Sequence, residues 1–172
     1  QGIPVFAQQS ARELQATGRT PGQVLESARA GVQAADYRGP WYADADHLSE
    51  VWQVTMFASA GFDWFTLDTG AYVDTTTTDP TARWRMALLR ARGLRKKVRS
   101  LVPAPVIELA LDEISRPATI RDHVAILLLL RRYRMKIHAL ALRFPGDWQK
   151  AVDVTGAPSE LTLRAHALLA RM

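Results

Sequence analysis

The sequence contains no cysteine. That excludes a disulfide-held scaffold and any zinc or iron–sulfur site built on thiolates. Long apolar runs are missing as well. The longest, Val124 to Leu130, is seven residues and is bracketed by Asp122, His123, Arg131 and Arg132, whereas a bilayer-spanning helix needs about 20. The opening residues, Gln1-Gly2-Ile3-Pro4-Val5-Phe6, carry no basic stretch of the kind that begins a secretory signal. A soluble, cytoplasmic protein without a membrane partner is the expectation. There is no G-x-G-x-x-G, no Walker loop, no H-E-x-x-H and no G-x-S-x-G, so dinucleotide and serine-nucleophile readings lack their motif.

Acid is absent from one window. Thr81 to Ala104 holds Arg83, Arg85, Arg90, Arg92, Arg95, Lys96, Lys97 and Arg99 and no Asp or Glu. These eight residues account for the net charge of +5, the remainder of the chain being net −3. Trp84, Met86, Leu88, Leu89, Leu94 and Val98 are interleaved with them, as in a basic helical insertion near 79–104. The simplest reading is a helix whose cations meet solvent or acidic groups elsewhere. An anionic ligand or nucleic acid is the alternative. No helix-turn-helix, RRM or zinc-finger pattern supports nucleic acid.

What is present is ordinary globular material: 172 residues, 48% hydrophobic and 23% charged, enough for a single domain over 1–172 with a real core. Strand-like and helix-like segments alternate. Ile3 to Gln8 reads as a strand. Thr20-Pro21 is a cap followed by proline at the first helical position, and apolar residues then return every three or four positions through Val24, Leu25, Ala28 and Val32. Trp41 to Asp46 reads as a strand, Leu48 to Ala60 as a helix closed by Gly61, and Phe62 to Asp68 as a strand. Thr75 to Pro80 is a polar linker. Val106 to Leu111 and Ile137 to Leu142 read as strands, and Pro117 to Arg134 and Pro158 to Met172 as helices. The first of these two helices is apolar nearly all round from Val124 to Leu130, which predicts burial on several sides. The pattern implies an α/β fold of parallel βα repeats, about five βα units.

Four of the five strands run into ionisable residues: Asp44, Asp46 and His47; Asp68; Asp112 and Glu113; Arg143. In parallel α/β folds, ligands bind beyond the carboxyl ends of the strands. Oxygen and imidazole donors from several strands suit a divalent ion such as Mn²⁺, Zn²⁺ or Mg²⁺. An arginine suits a substrate carboxylate or phosphate, whose two oxygens match its fork. The plainer alternative for Asp46 and Asp68 is a helix cap or turn, and for His47 a hydrogen-bonded surface imidazole. His123 and His166 fall within helices, as structural or exposed residues, and His138 lies at a strand start, the wrong end for a site.

These residues carry a family resemblance. Phe6 to Pro21, Gly39 to Leu48 with its Asp44-Ala45-Asp46-His47, Ala60 to Asp74 with its Thr66-Leu67-Asp68, Glu108 to Thr119 and Leu140 to Gly156 resemble, in this order, the tagaturonate epimerase family of bacterial sugar-acid enzymes. The resemblance implies a TIM-barrel-type fold, here incomplete and TIM-barrel-like. It implies a metal-dependent epimerisation interconverting tagaturonate and fructuronate, with Mn, Zn, Ni or Mg as the divalent metal ion. It makes Asp46, His47 and Glu113 candidate metal ligands, Asp44 and Asp68 candidate catalytic groups, and Arg143 a candidate contact for the carboxylate of the sugar-acid substrate. Deprotonation with reprotonation and retro-aldol cleavage with re-addition both fit that chemistry. Three departures stand out. The third strand ends Asp68-Thr69-Gly70 where the family has Asp-Pro. The basic segment stands where the family has a longer helical insertion. The family continues into a further strand with a Leu-His-Ser-Gly-like motif supplying another ligand, beyond Met172. A chain of this kind is expected to be an epimerase or a fragment of one. The alternative is a non-catalytic partial-barrel module that self-associates through open sheet edges.

Overall fold

The structure is a computed structural model that describes residues 4–146 and 155–171. Five strands, β1 (Val5–Ser10), β2 (Trp41–Leu48), β3 (Trp64–Asp68), β4 (Val106–Leu111) and β5 (Ala139–Leu142), alternate with six α-helices. The helices are α1 (Ala11–Thr17), α2 (Pro21–Ala34), α3 (Val51–Ala60), α4 (Pro80–Leu101), α5 (Ile120–Arg132) and α6 (Glu160–Leu169), and one turn of 3-10 helix lies at Gly70–Tyr72. The sheet order is β1-β2-β3-β4-β5, with β1–β2 and β2–β3 parallel. That order is singly wound: each βα unit adds on the same side of the last, as in (β/α) barrels, with no reversal of the kind that marks a doubly wound sheet.

Local chemistry sets most of the helix starts. Ser10 with Glu13, Thr20 with Gln23 and Thr119 with Asp122 form reciprocal capping boxes at α1, α2 and α5, each satisfying two orphan amides. Gly61 closes α3 at φ 95°, a left-handed conformation that glycine adopts without a Cβ penalty.

Several boundaries differ from the sequence reading. The first strand begins at Val5 and continues to Ser10; Ile3 lies outside the described residues. The chain then forms α1, a helix the periodicity does not show. Leu48 closes β2 instead of opening a helix and is fully buried. The basic segment is a single helix of 22 residues. In α5 the apolar run does not bury all round: Ile126, Leu129 and Leu130 are inside, while Val124 is 38% and Leu128 60% exposed. The last helix spans ten residues from Glu160, and Met172 is outside the described residues.

Contacts group the chain into two compact units. The first comprises residues 1–68, 91–109 and 137–139. Its core joins Leu14, Val24, Leu25, Ala43, Ala45, Leu48, Val54, Phe57, Phe62, Phe65, Leu67, Leu94, Val98 and Ile107, so the strand residues at odd positions, with Leu48, meet the apolar stripes of the helices. The opposite face of these strands carries Phe6, Tyr42 and Trp64, whose rings pack at 4.8–5.5 Å between centroids.

The second unit comprises residues 69–90, 110–136 and 140–172. Two buried polar arrangements organise it. Asp122 accepts from Arg83 Nη1 at 3.1 Å and from Trp84 Nε1 at 2.8 Å. One cation of the basic segment is therefore a buried ion-pair partner, as the plain reading of that segment anticipates. The other arrangement is a histidine pair. His123 Nδ1 and His166 Nδ1 lie 2.9 Å apart with stacked rings, and Phe144 meets His166 edge-on. His166 is the buried residue of α6. Both histidines are thus structural.

Burial holds both imidazoles below the ordinary histidine value of 6.5, and His166 depresses His123 further. Each binds its proton more weakly folded than unfolded. The stability this pair contributes is complete above 6.5 and is lost as the pH falls below it. The pair's own contribution to the thermal midpoint should therefore fall between about pH 7 and pH 5, with amide exchange in α6 rising in step. His166→Phe should flatten that dependence. An unchanged slope in the variant would exclude the pair as its source.

Candidate active site

The site begins with an irregularity in β2. Ala45 pairs with Phe65 and Leu48 with Leu67, so Asp46 and His47 together stand opposite Thr66. Two residues against one make a β-bulge. His47 takes up the extra residue at φ 51°, a left-handed conformation uncommon for residues other than glycine, though histidine, asparagine and aspartate adopt it more often than most. The bulge reverses the alternation. Without it Leu48 would share a face with Asp44 and Asp46; with it Leu48 joins Ala43 and Ala45 in the core.

His47 is thereby set between two carboxylates. Its Nδ1 lies 3.3 Å from Asp68 Oδ2 and its Nε2 3.8 Å from Asp46 Oδ1, the three side chains being 15–20% exposed. Neither aspartate is a helix cap: the N-cap of α3 is Glu50, and Asp46 lies inside β2. Asp68 ends β3. The helix-cap alternative therefore falls away for both, while Asp68 stands at the strand end, before the turn at Gly70–Tyr72.

Asp44 sits one layer deeper, 5% exposed. Thr66 Oγ1 donates to its Oδ1 at 3.0 Å. Burial pushes the Asp44 carboxyl up to about 7; the Thr66 hydrogen bond opposes the shift, and the charges of Asp46 and Glu108 add to it. A carboxyl that titrates near neutrality can both give and take a proton at working pH. Below Asp44, Trp64 Nε1 donates to Glu108 at 3.2 Å, beside the aromatic cluster. Thr66 is a buried hydrogen-bond partner of Asp44 that the residue types alone do not reveal. The signal available is its even-numbered place in β3, two residues before Asp68.

The other two candidates belong to the second unit. Glu113 is exposed, in the bend that follows β4. Arg143 follows β5; its carbonyl accepts from Ala118 N at 2.8 Å, and its Nε is buried with no hydrogen-bond partner among the described residues. Two further strand-end atoms share that condition, Thr69 Oγ1 after β3 and Asp112 Oδ1 after β4. Part of the resembling stretch that follows Arg143, residues 147–154, lies outside the described residues.

No helix among the described residues is long and apolar enough to cross a membrane. Comparison with known proteins adds the following. The tagaturonate epimerase (UxaE) family model matches residues 1–102 and 94–172. The tagaturonate/fructuronate epimerase of Thermotoga maritima is 29% identical over 215 aligned positions, covering 99% of this chain and 45% of that protein. The fructuronate-tagaturonate epimerase of Cohnella laeviribosi, solved with glycerol, superposes with a TM-score of 0.87 at 23% identity over 96% of this chain and 44% of that one. The YdjI aldolase of Escherichia coli K12 superposes more loosely, with a TM-score of 0.55 at 12% identity over 88% of this chain and 50% of that one. The solved structures establish a shared fold. The chain spans about half the length of the relatives it matches. With the family model matching its whole length in two overlapping stretches, the chain belongs to the tagaturonate epimerase family.

Proposed function

We propose that this chain is, or is part of, a metal-dependent epimerase that interconverts tagaturonate and fructuronate. The observation that carries the reading is the bulge in β2, which seats His47 between Asp46 and Asp68 with a readily protonated Asp44 beside Thr66. One imidazole and carboxylate oxygens within 4 Å of it form a donor set suited to a divalent ion. In this reading Asp46 and His47 hold the metal, with Glu113 the further ligand by family resemblance. A bound divalent ion would supply Lewis acidity to polarise the substrate ketone.

The chain's own residues do the rest. Inversion by deprotonation needs one group to remove a proton and another to return it on the opposite face, and retro-aldol cleavage with re-addition needs an acid/base pair at the hydroxyl. Asp44 and Asp68, on adjacent strands, are the pair assigned to that task. Arg143 presents donors to the sugar-acid carboxylate; its Nε is a buried donor without a hydrogen-bond partner among the described residues, and burying one unpaired is costly.

The test is interconversion of the two keto-hexuronates by chelator-treated protein with Mn²⁺, Ni²⁺, Zn²⁺ or Mg²⁺ added back. Turnover is expected with at least one ion and should fall at least about 100-fold in Asp46→Ala, a range typical for loss of a site group. Turnover untouched by chelator, or an Asp46→Ala variant as active as the native chain, would refute the metal assignment. No turnover under any condition refutes the activity for this chain.

A further inference from the structure

The proposed machinery uses β2, β3 and the residues that follow β4 and β5 but leaves β1 without a role. β1 pairs in parallel with β2 in a continuous register that sets Phe6 against Tyr42, Gln8 against Asp44 and Ser10 against Asp46. Phe6 packs on both Tyr42 and Trp64, at 5.4 and 4.8 Å between centroids. The even-numbered residues of β1 therefore lie on the same face as Tyr42 and, two residues on, Asp44. Aligned residues on neighbouring strands are about 4.8 Å apart. Gln8 thus flanks Asp44 on one side, while Thr66 holds it from the other at 3.0 Å.

The three even-numbered side chains of β1 have different commitments. Phe6 belongs to the aromatic cluster. Ser10 caps α1, exchanging hydrogen bonds with Glu13. Gln8 is exposed and in no such arrangement among the described residues. Its neighbour Gln9, on the other face, spends its amide on Glu13 Oε2 at 2.9 Å. Two successive glutamines of identical chemistry are thus divided by the pleat: one locks a helix start, the other stands beside the buried acid.

We propose that Gln8 is a substrate-contacting residue, its carboxamide hydrogen-bonding a hydroxyl of the sugar acid bound over Asp44. This rests on the reading of the site as a sugar-acid epimerase site. Asp44, Asp46 and Asp68 already crowd this face with carboxylates, which repel an anionic substrate. A neutral amide adds a donor and an acceptor without adding to that repulsion. A polyol needs both roles, because each hydroxyl donates and accepts.

The test measures binding and turnover separately on the native chain, Gln8→Ala and Gln8→Glu, with folding checked by circular dichroism. The ligands are tagaturonate and fructuronate. Loss of one neutral hydrogen bond corresponds to about a 5- to 10-fold weaker dissociation constant. Gln8→Ala should show that weakening, with KM raised in proportion and kcat within about 3-fold. Gln8→Glu should bind more weakly still, because it adds a like charge. On titration of the native chain with either sugar acid, the Gln8 side-chain amide signal in nuclear magnetic resonance should shift. A native chain that turns over, with Gln8→Ala unaltered in affinity and KM, overturns the Gln8 contact and leaves the epimerase reading standing. A native chain that binds without interconverting its ligand, with the Gln8 amide shifting, removes the epimerase reading and supports the contact. Absence of binding at millimolar ligand overturns both.

Discussion

Replacing Asp122 with alanine should cost the fold about 3–5 kcal/mol, the range for breaking a buried ion pair from one side. Asp122 is 1% exposed, and both of its oxygens are in use. Oδ1 accepts from Arg83 Nη1 at 3.1 Å and Trp84 Nε1 at 2.8 Å; Oδ2 accepts from Thr119 N at 2.9 Å and Thr119 Oγ1 at 2.7 Å. Alanine would leave the Arg83 guanidinium, itself 3% exposed, with the neutral Thr77 carbonyl at 3.0 Å in place of a carboxylate. The fully buried Trp84 indole would lose its acceptor, and the capping box of α5 would open, which alone is worth about 1 kcal/mol. Against a total stability of about 5–15 kcal/mol for a domain, this is a large share. Asp122→Asn keeps the shape and one acceptor and should cost less. Urea denaturation of the three proteins measures the order. A loss below about 1 kcal/mol in Asp122→Ala would show that the pair gains little over solvation, as some buried pairs do.

This network also shows why parts of the molecule are legible in sequence and others are not. The capping box of Asp122 with Thr119, three residues before it, has a local signature; that Asp122 neutralises Arg83, 39 positions earlier, is a tertiary fact with none. The five strands are readable because each is a short apolar or aromatic run between turn residues, and β4 is found at its observed bounds, Val106–Leu111. Helix α1 is missed because it buries one side chain, Leu14, and so has no periodic stripe. Its signal is the capping box of Ser10 and Glu13 with Gly18 as the stop. The exposure of Val124 and Leu128 in α5 follows from the same kind of ignorance: an unbroken apolar run says that a helix can be covered, not by what.

The candidate site divides in the same way. That Asp44, Asp46, His47 and Asp68 gather at strand ends is visible from residue types and spacing. That His47 stands between Asp46 and Asp68 is not, because strict alternation places His47 opposite Asp44 and Asp46. The bulge and the left-handed φ of His47 overturn that parity, and one extra residue in a strand leaves no mark in the pattern that precedes it. Conformational strain of this kind, about 1–3 kcal/mol for a non-glycine residue in the left-handed region, is held where the surrounding structure demands it and is enriched at functional sites.

Asp44→Asn should make the protein more stable at about pH 8 while removing most of its turnover. The Asp44 carboxyl is raised from 3.8 to about 7 by burial, with Asp46 and Glu108 adding to the shift. The folded chain therefore holds this proton more tightly than the unfolded chain. The stability contributed is fully present below 3.8 and is lost as the pH rises through about 7. Asparagine never ionises, and its Oδ1 can still accept from Thr66. The variant's advantage should be absent near pH 3.5, grow between pH 4 and 7 and stay constant above. Each unit of displacement is worth about 1.4 kcal/mol, so the plateau is a few kcal/mol. In the proposed reaction the same substitution removes the proton that the carboxyl exchanges with substrate, and loss of a general acid or base lowers rate by about 10²–10⁴-fold. Denaturation across that pH range and keto-hexuronate interconversion at its upper end give the two readouts. A variant less stable than the native chain at pH 8 would contradict the burial of an ionisable carboxyl. Unchanged turnover would take Asp44 out of the chemistry. Both effects together would mean that this position trades stability for a proton held near neutrality, since an inert buried acid would show the first effect without the second.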